Sequence, residues 1–150
     1  MRNLRLISVA LLGLSGLAQG ADQGFRQLGD FVIQSRIKLT GEKVLPTPIK
    51  PLRLTVSTDG TFVKIVTDGN QETAATFKIY RADGIGRQAG PGAALEVIPG
   101  VQATADQGGV HQHLRMTREN LILTTFPGVS DQTIITTAVA VPVPATVRNP

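Results

Sequence analysis

LRLTVSTDGTFVKIVTDGNQETAATFKIYR, residues 52–81, is the stretch on which the fold turns. Three alternating apolar–polar runs are separated here by Asp59-Gly60 and by Asp68-Gly69-Asn70. Side chains alternate across a strand with a period of two, so each run offers one face to a core and one to water. Asp-Gly between such runs marks a tight hairpin, because both residues tolerate the positive φ that the turn demands. A three-stranded antiparallel meander follows. Its inward set is Leu52, Leu54 and Val56 on the first strand and Thr73, Ala75, Phe77 and Ile79 on the third. The middle run, 62–67, is apolar on both faces except at Lys64 and reads as the most central of the three.

Towards the N-terminus, residues 21–30 are a polar, Gly-containing lead-in that reads as loop or a short turn of helix, and 31–39 alternate again. Phe31, Ile33, Ser35, Ile37 and Leu39 fall on one face of that run, and Val32, Gln34, Arg36 and Lys38 on the other. Gly41 and the prolines at 46, 48 and 51 then argue against ladder pairing at those positions and predict an extended connection or an edge crossing, since proline cannot donate a ladder hydrogen bond. Towards the C-terminus, ADGIGRQAGPG (82–92) reads as a mobile Gly-rich loop. Residues 94–98 and 101–105 flank Pro99-Gly100 and predict a hairpin. Gly108-Gly109 opens a strand over 110–117. On it Val110, Gln112, Leu114 and Met116 share one face, and His111, His113, Arg115 and Thr117 the other. Further strands are expected over 121–126 and 133–141, after which 142–150 reads as an extended or disordered tail.

Eight or nine short strands with no helical period after the leader make the fold class all-β. Two architectures suit them: an antiparallel, meander-rich sandwich, or an up-and-down barrel, open or closed. Residues 1–20 stand apart. Arg2 and Arg5 precede an apolar run over 6–17 and then Ala18-Gln19-Gly20, the make-up of a secretory signal peptide cut after Gly20. The run is too short for the roughly 20 residues that span a bilayer. One β domain is therefore expected over 21–141, with no transmembrane segment left after cleavage. The chain contains no Cys, so neither a lipidated cysteine nor a disulfide is available. Export without disulfides points to a bacterial envelope: the periplasm, or secretion beyond it.

Without Arg2 and Arg5 the chain keeps 13 basic against 11 acidic residues, a net charge of +2. These charges are interspersed, and five Phe, one Tyr and no Trp supply few stacking surfaces. A nucleic-acid partner, which calls for a concentrated basic stripe, is not expected.

The sharpest chemical candidate is His111-Gln112-His113. Two His at i and i+2 on a strand project from one face, so both imidazoles can reach one Zn²⁺, Cu²⁺ or Fe²⁺. They are the only two His, so a third ligand would be a carboxylate, with Asp106 and Glu119 nearest in sequence. The pair is similar to the first half of the cupin metal motif, a Gly, an HxH and a later Glu. Here Gly108 and Gly109 stand too close, Glu119 too far, and the second-half His is missing. Arg115 on the same face opposes a bound cation. Two hydrogen-bonded or solvated His on an outer strand face are the plainer reading.

Gly84-Ile85-Gly86-Arg87-Gln88-Ala89 has dinucleotide-fingerprint spacing, but Pro91 and Gly92 deny it the helix whose N-terminus would hold pyrophosphate. Ser35, Ser57 and Ser130 lie in no nucleophile elbow, and no carboxylate pair stands out. No catalytic set and no cofactor is implied. Tyr80, Arg81, Arg87 and Arg115 remain as possible contacts to an anionic group.

The leading expectation is an exported, non-enzymatic β-module with a binding or structural role. A metal binder or small metal-assisted enzyme centred on His111 and His113 is the alternative. A barrel carrying an apolar ligand such as a lipid is a third, and it demands a large apolar cavity. The expected partner is another protein, or a second copy paired through an edge strand, with 133–141 as the strand offered.

Overall fold

A computed structural model of the chain describes residues 24–142, except 89, 129 and the side chain of Arg87. The expected signal peptide (1–20) and all but the first residue of the expected tail lie outside the described residues. The strands in chain order are β1 (Arg26–Thr40), β2 (Lys43–Pro46), β3 (Arg53–Thr58), β4 (Phe62–Thr67), β5 (Asn70–Arg81) and β6 (Ile85–Gln88). They continue with β7 (Leu95–Ile98), β8 (Gly100–Gln107), β9 (Val110–Thr117), β10 (Asn120–Pro127) and β11 (Gln132–Ala140).

The meander forms as its sequence requires. Between β4 and β5 the chain reverses through Asp68 (φ 48°) and Gly69 (φ 71°), with Thr67 opposite Asn70, a two-residue turn with positive φ at both positions. Between β3 and β4, the Asp59 carboxylate accepts hydrogen bonds from the backbone N–H groups of Thr61 (2.8 Å) and Phe62 (2.7 Å). This is an Asx turn that folds the loop on itself.

From this seed the ladder runs β1-β3-β4-β5-β8-β9-β10-β11, every pair antiparallel, and β11 pairs back onto β1 from Phe31↔Ala140 to Thr40↔Gln132. The all-β expectation holds, and it resolves into a closed eight-stranded antiparallel barrel with one extra strand, β2. β6 and β7 form a separate two-stranded hairpin inserted between β5 and β8. An eight-stranded barrel is about wide enough inside for side chains to fill. Phe77, Leu114, Leu121, Val56 and Val63, all fully buried, fill this one. On the outside, Asp30 ties β1 to β3: it receives the Arg53 guanidinium at 2.7 Å and the Thr55 hydroxyl at 2.7 Å. Arg53, then Thr55, hold its carboxyl below the usual range.

The lead-in is neither loop nor helix from Arg26 on, because β1 already pairs with β3 there, from Arg26↔Thr58 to Asp30↔Thr55. Four further local readings change. First, the pairing of β1 with β11 jumps from Ile33↔Ala138 to Ser35↔Thr137, so Gln34 is an extra residue in a β-bulge. The bulge reverses the alternation beyond it. Arg36 and Lys38, opposite Thr136 and Ile134, face the barrel interior, and Ile37 and Leu39 face outward. The same spot is where β1 changes partner on its other edge: Ile33 N–H donates to Leu52 O (3.1 Å), and Thr47 N–H donates to Arg36 O (2.9 Å).

Second, of the two readings of the Pro-rich segment the edge crossing holds, and its pairing includes Pro46. β2 pairs with β1 from Thr40↔Lys43 to Ile37↔Pro46. Pro46 is tolerated because β2 is an edge strand that needs no donor on its far side.

Third, 82–92 is not all loop. β6 pairs with β7 from Ile85↔Ile98 to Gln88↔Leu95, so 94–98 folds back onto β6 and not onto β8. Pro99-Gly100 is a sharp passage between two sheets, not a hairpin tip. Fourth, the last strand offers no free edge, because β11 is paired on both sides.

Candidate functional site

The outer face of β8, β9 and β10 carries the residues that the sequence singled out. The register sets them in rows across the strands: Asp106, His111 and Phe126; Thr104, His113 and Thr124; Gln102, Arg115 and Ile122. β9 places both His outward because Leu114 and Met116, with opposite parity, are buried. The glycine turn before it has φ 56° at Gly108 and 78° at Gly109, which fixes the register of β8 against β9.

The two imidazoles face different partners. His111 Nδ1 lies 2.6 Å from Asp106 Oδ1, and its ring stacks near Phe126 with centroids 5.9 Å apart. His113 Nε2 lies 2.5 Å from the Tyr80 hydroxyl, which in turn donates to Gln102 Oε1 at 2.8 Å. A phenol has one proton. With that proton on Gln102, Nε2 of His113 must be the donor, leaving Nδ1 as the acceptor. Burial, then the charges of Arg115 and His111, lower the His113 pKa below its ordinary value and favour this neutral tautomer.

This geometry does not assemble the metal set. Asp106 joins His111, but Glu119 lies in the β9–β10 turn at the opposite end of the strand. Among the described residues no group of three His, Cys, Asp or Glu could hold an ion. Of the anion-contact candidates, Tyr80 joins the Gln102–His113 network beside Arg115, whereas Arg81 turns aside to Asp83 at 2.7 Å. Arg87 takes its place on β6 opposite Glu96.

Next to this network lies the feature that the sequence did not disclose, a groove of about 350 Å³ between the β6–β7 hairpin and the outer face of β9, β10 and β11. Ile85, Gly86 and Ile98 form its roof, Ile122, Thr137 and Val139 its floor, and Arg115, Glu119 and Asn120 its polar margin. The hairpin comes this close because of Gly100. A Cβ there would lie 2.6 Å from the Met116 carbonyl oxygen and 2.7 Å from Ile85 Cδ1. Ile85 is buried beneath the hairpin, while Leu95 and Val97 on its outer strand stay open to solvent.

A trace of the groove does exist in the sequence. Strands 121–126 and 133–141 are apolar or β-branched on both faces, which an exposed outer wall does not call for. The hairpin that covers part of that wall was hidden by its glycines. Compared with protein-family models, with curated proteins and with solved structures, the chain matches none.

Proposed function

We propose that the chain is an exported, non-enzymatic binding module of the bacterial envelope or extracellular space, and that it takes its partner in the groove beneath the β6–β7 hairpin. The observation that carries this reading is the groove itself. An apolar floor and roof with Arg115, Glu119 and Asn120 at the margin is the usual make-up of a recognition site: apolar area for affinity and a few polar groups for orientation. Its volume stands at the small end of ligand sites, which run from about 300 to 1,000 Å³. The partner is therefore a small molecule or a few side chains of an extended segment. The Tyr80–Gln102–His113 network supports a binding role over a catalytic one, since the Tyr80 hydroxyl, Gln102 Oε1 and His113 Nε2 already engage one another.

A fragment and short-peptide screen of the purified chain by saturation-transfer NMR tests this. Ligands should compete with one another and be lost in Ile122→Glu, a half-exposed position whose change leaves the core intact. Ligands indifferent to Ile122→Glu, or stoichiometric metal removed by His111→Ala, would defeat the proposal. Export is checked by fractionation and by finding Ala21 as the first residue of the mature chain.

A further inference from the structure

The interior of the barrel is not uniform. At the pole marked by the β4–β5 and β8–β9 turns, a cavity of about 150 Å³ enters the lumen. Its walls are apolar, with Ile33, Leu54, Ile65, Phe77, Leu121 and Leu123 among them. Its mouth is polar. Gln112 donates to Thr125 at 3.2 Å, Thr73 bonds back to Asn70 O at 2.7 Å, and Arg36 Nε donates to Thr136 at 3.2 Å. Arg36 is there because of the Gln34 bulge. Without the extra residue before it, simple alternation along β1 would have set Ser35 opposite Thr136 and turned Arg36 outward.

A guanidinium has five N–H donors in a planar fork. One is used by Thr136, and Arg36 forms no salt bridge with a carboxylate among the described residues. Lys38 lies two residues on, with the same interior-facing parity, and adds to the positive potential. Thr136 itself is buried, so the arginine is pinned at the junction between apolar wall and open mouth.

We propose that this lumen is a second binding site, distinct from the outer groove, for a small monocarboxylate with an apolar tail. The carboxylate sits on the Arg36 fork, since a bidentate, charge-assisted pair is the strongest contact a guanidinium makes. The tail enters the cavity. A dry cavity of about 150 Å³ accommodates a benzene-sized guest, so the tail has about six carbons. Long-chain lipids are excluded by size, because Phe77 and Leu114 close the lumen below.

Sodium hexanoate is the probe and hexan-1-ol its uncharged counterpart, titrated into the full chain and followed by ¹H–¹⁵N chemical shifts. Hexanoate should saturate with shifts at Ile33, Ala75, Leu123 and Thr136, and hexanol should bind at least tenfold more weakly. Arg36→Gln should remove that preference while leaving hexanol binding as it was. Ala75→Leu, which fills the cavity from β5, should abolish both and provides a second route if Arg36→Gln does not fold. Equal affinity for acid and alcohol, no saturable binding, or shifts confined to the outer face of β9–β11 would overturn the proposal. The screen on Ile122→Glu reports on the outer groove separately, so the two sites stand or fall independently.

Discussion

Deletion of Gln34 separates two versions of β1 by several kcal/mol. In the bulged register, Ile33 faces Ala138 and Ser35 faces Thr137. Removing Gln34 makes Ile33 and Ser35 true neighbours, and every side chain keeps its partner on β11. The Gln34 side chain is exposed, so no buried apolar surface is lost. What changes is the offset between β2 and β3 along β1, about 3.3 Å, which the connection over 47–52 must absorb. The cost is that of one disturbed ladder hydrogen bond, about 1 kcal/mol. In the straight alternating register, the same deletion would turn Ile37 and Leu39 out of the core. Two aliphatic side chains at about 1.5–3 kcal/mol each would then be lost, about 3–6 kcal/mol together. Each kcal/mol moves the melting temperature of a domain this size by about 4 °C. Calorimetry of the deletion variant should therefore show a drop of about 4 °C. A drop above about 12 °C, or failure to fold, would refute the bulged register and the inward Arg36 with it.

Phe77→Ala, at a fully buried site on the third strand of the meander, should cost about 3–5 kcal/mol in urea unfolding followed by circular dichroism. Asp30→Asn should destabilise the barrel at neutral pH. The Asp30 pKa is depressed by Arg53 and Thr55, so its contribution is present above its unfolded value of about 3.9 and fades as pH falls through the folded one. The gap between mutant and parent melting temperatures should close in acid. His113 also has a lowered pKa, so the unfolded chain binds its proton first and stability should erode as pH drops below about 6.5. His113→Gln should flatten that part of a melting-temperature profile. Gly128→Ala should destabilise strongly and shift the β8–β9 turn resonances, because a Cβ there would collide with the backbone carbonyl of Gly109.

Much of the barrel was legible because its instructions are local. Asp68-Gly69 and Gly108-Gly109 need positive φ where their hairpins turn, and the inward sets around Phe77 and Leu114 follow from parity alone. The errors share one cause, which is that non-local pairing overrode local composition. Nothing near Gln34 announces a bulge; it exists because β1 must serve β11 on one edge while passing from β3 to β2 on the other. Gly86 spoils a strand by propensity, yet its bare backbone accommodates the Leu95 side chain across the β6–β7 ladder. Pro46 likewise reads as a ladder breaker until its strand is known to be an outermost one. Sandwich and barrel differ only in whether β1 meets β11, two segments about a hundred residues apart that no short window compares. At the candidate site, the outward projection of His111 and His113 was readable, but their partners were not. Tyr80 reaches His113 from another strand across β8, and Asp106 meets His111 across the β8–β9 hairpin.

The β1–β11 seam also fixes how the molecule is mounted. Phe31 pairs with Ala140, and Val141 N–H donates to Asp30 O at 2.8 Å, so the chain enters and leaves the barrel side by side at one pole. The Arg36 opening lies at the other pole. An attachment made through either terminus, whether a surface linker, an affinity handle or a fused domain, would therefore hold the barrel like a cup by its base, its rim turned to the solvent. Joining the two ends and cutting the backbone elsewhere should give a permuted barrel of unchanged circumference.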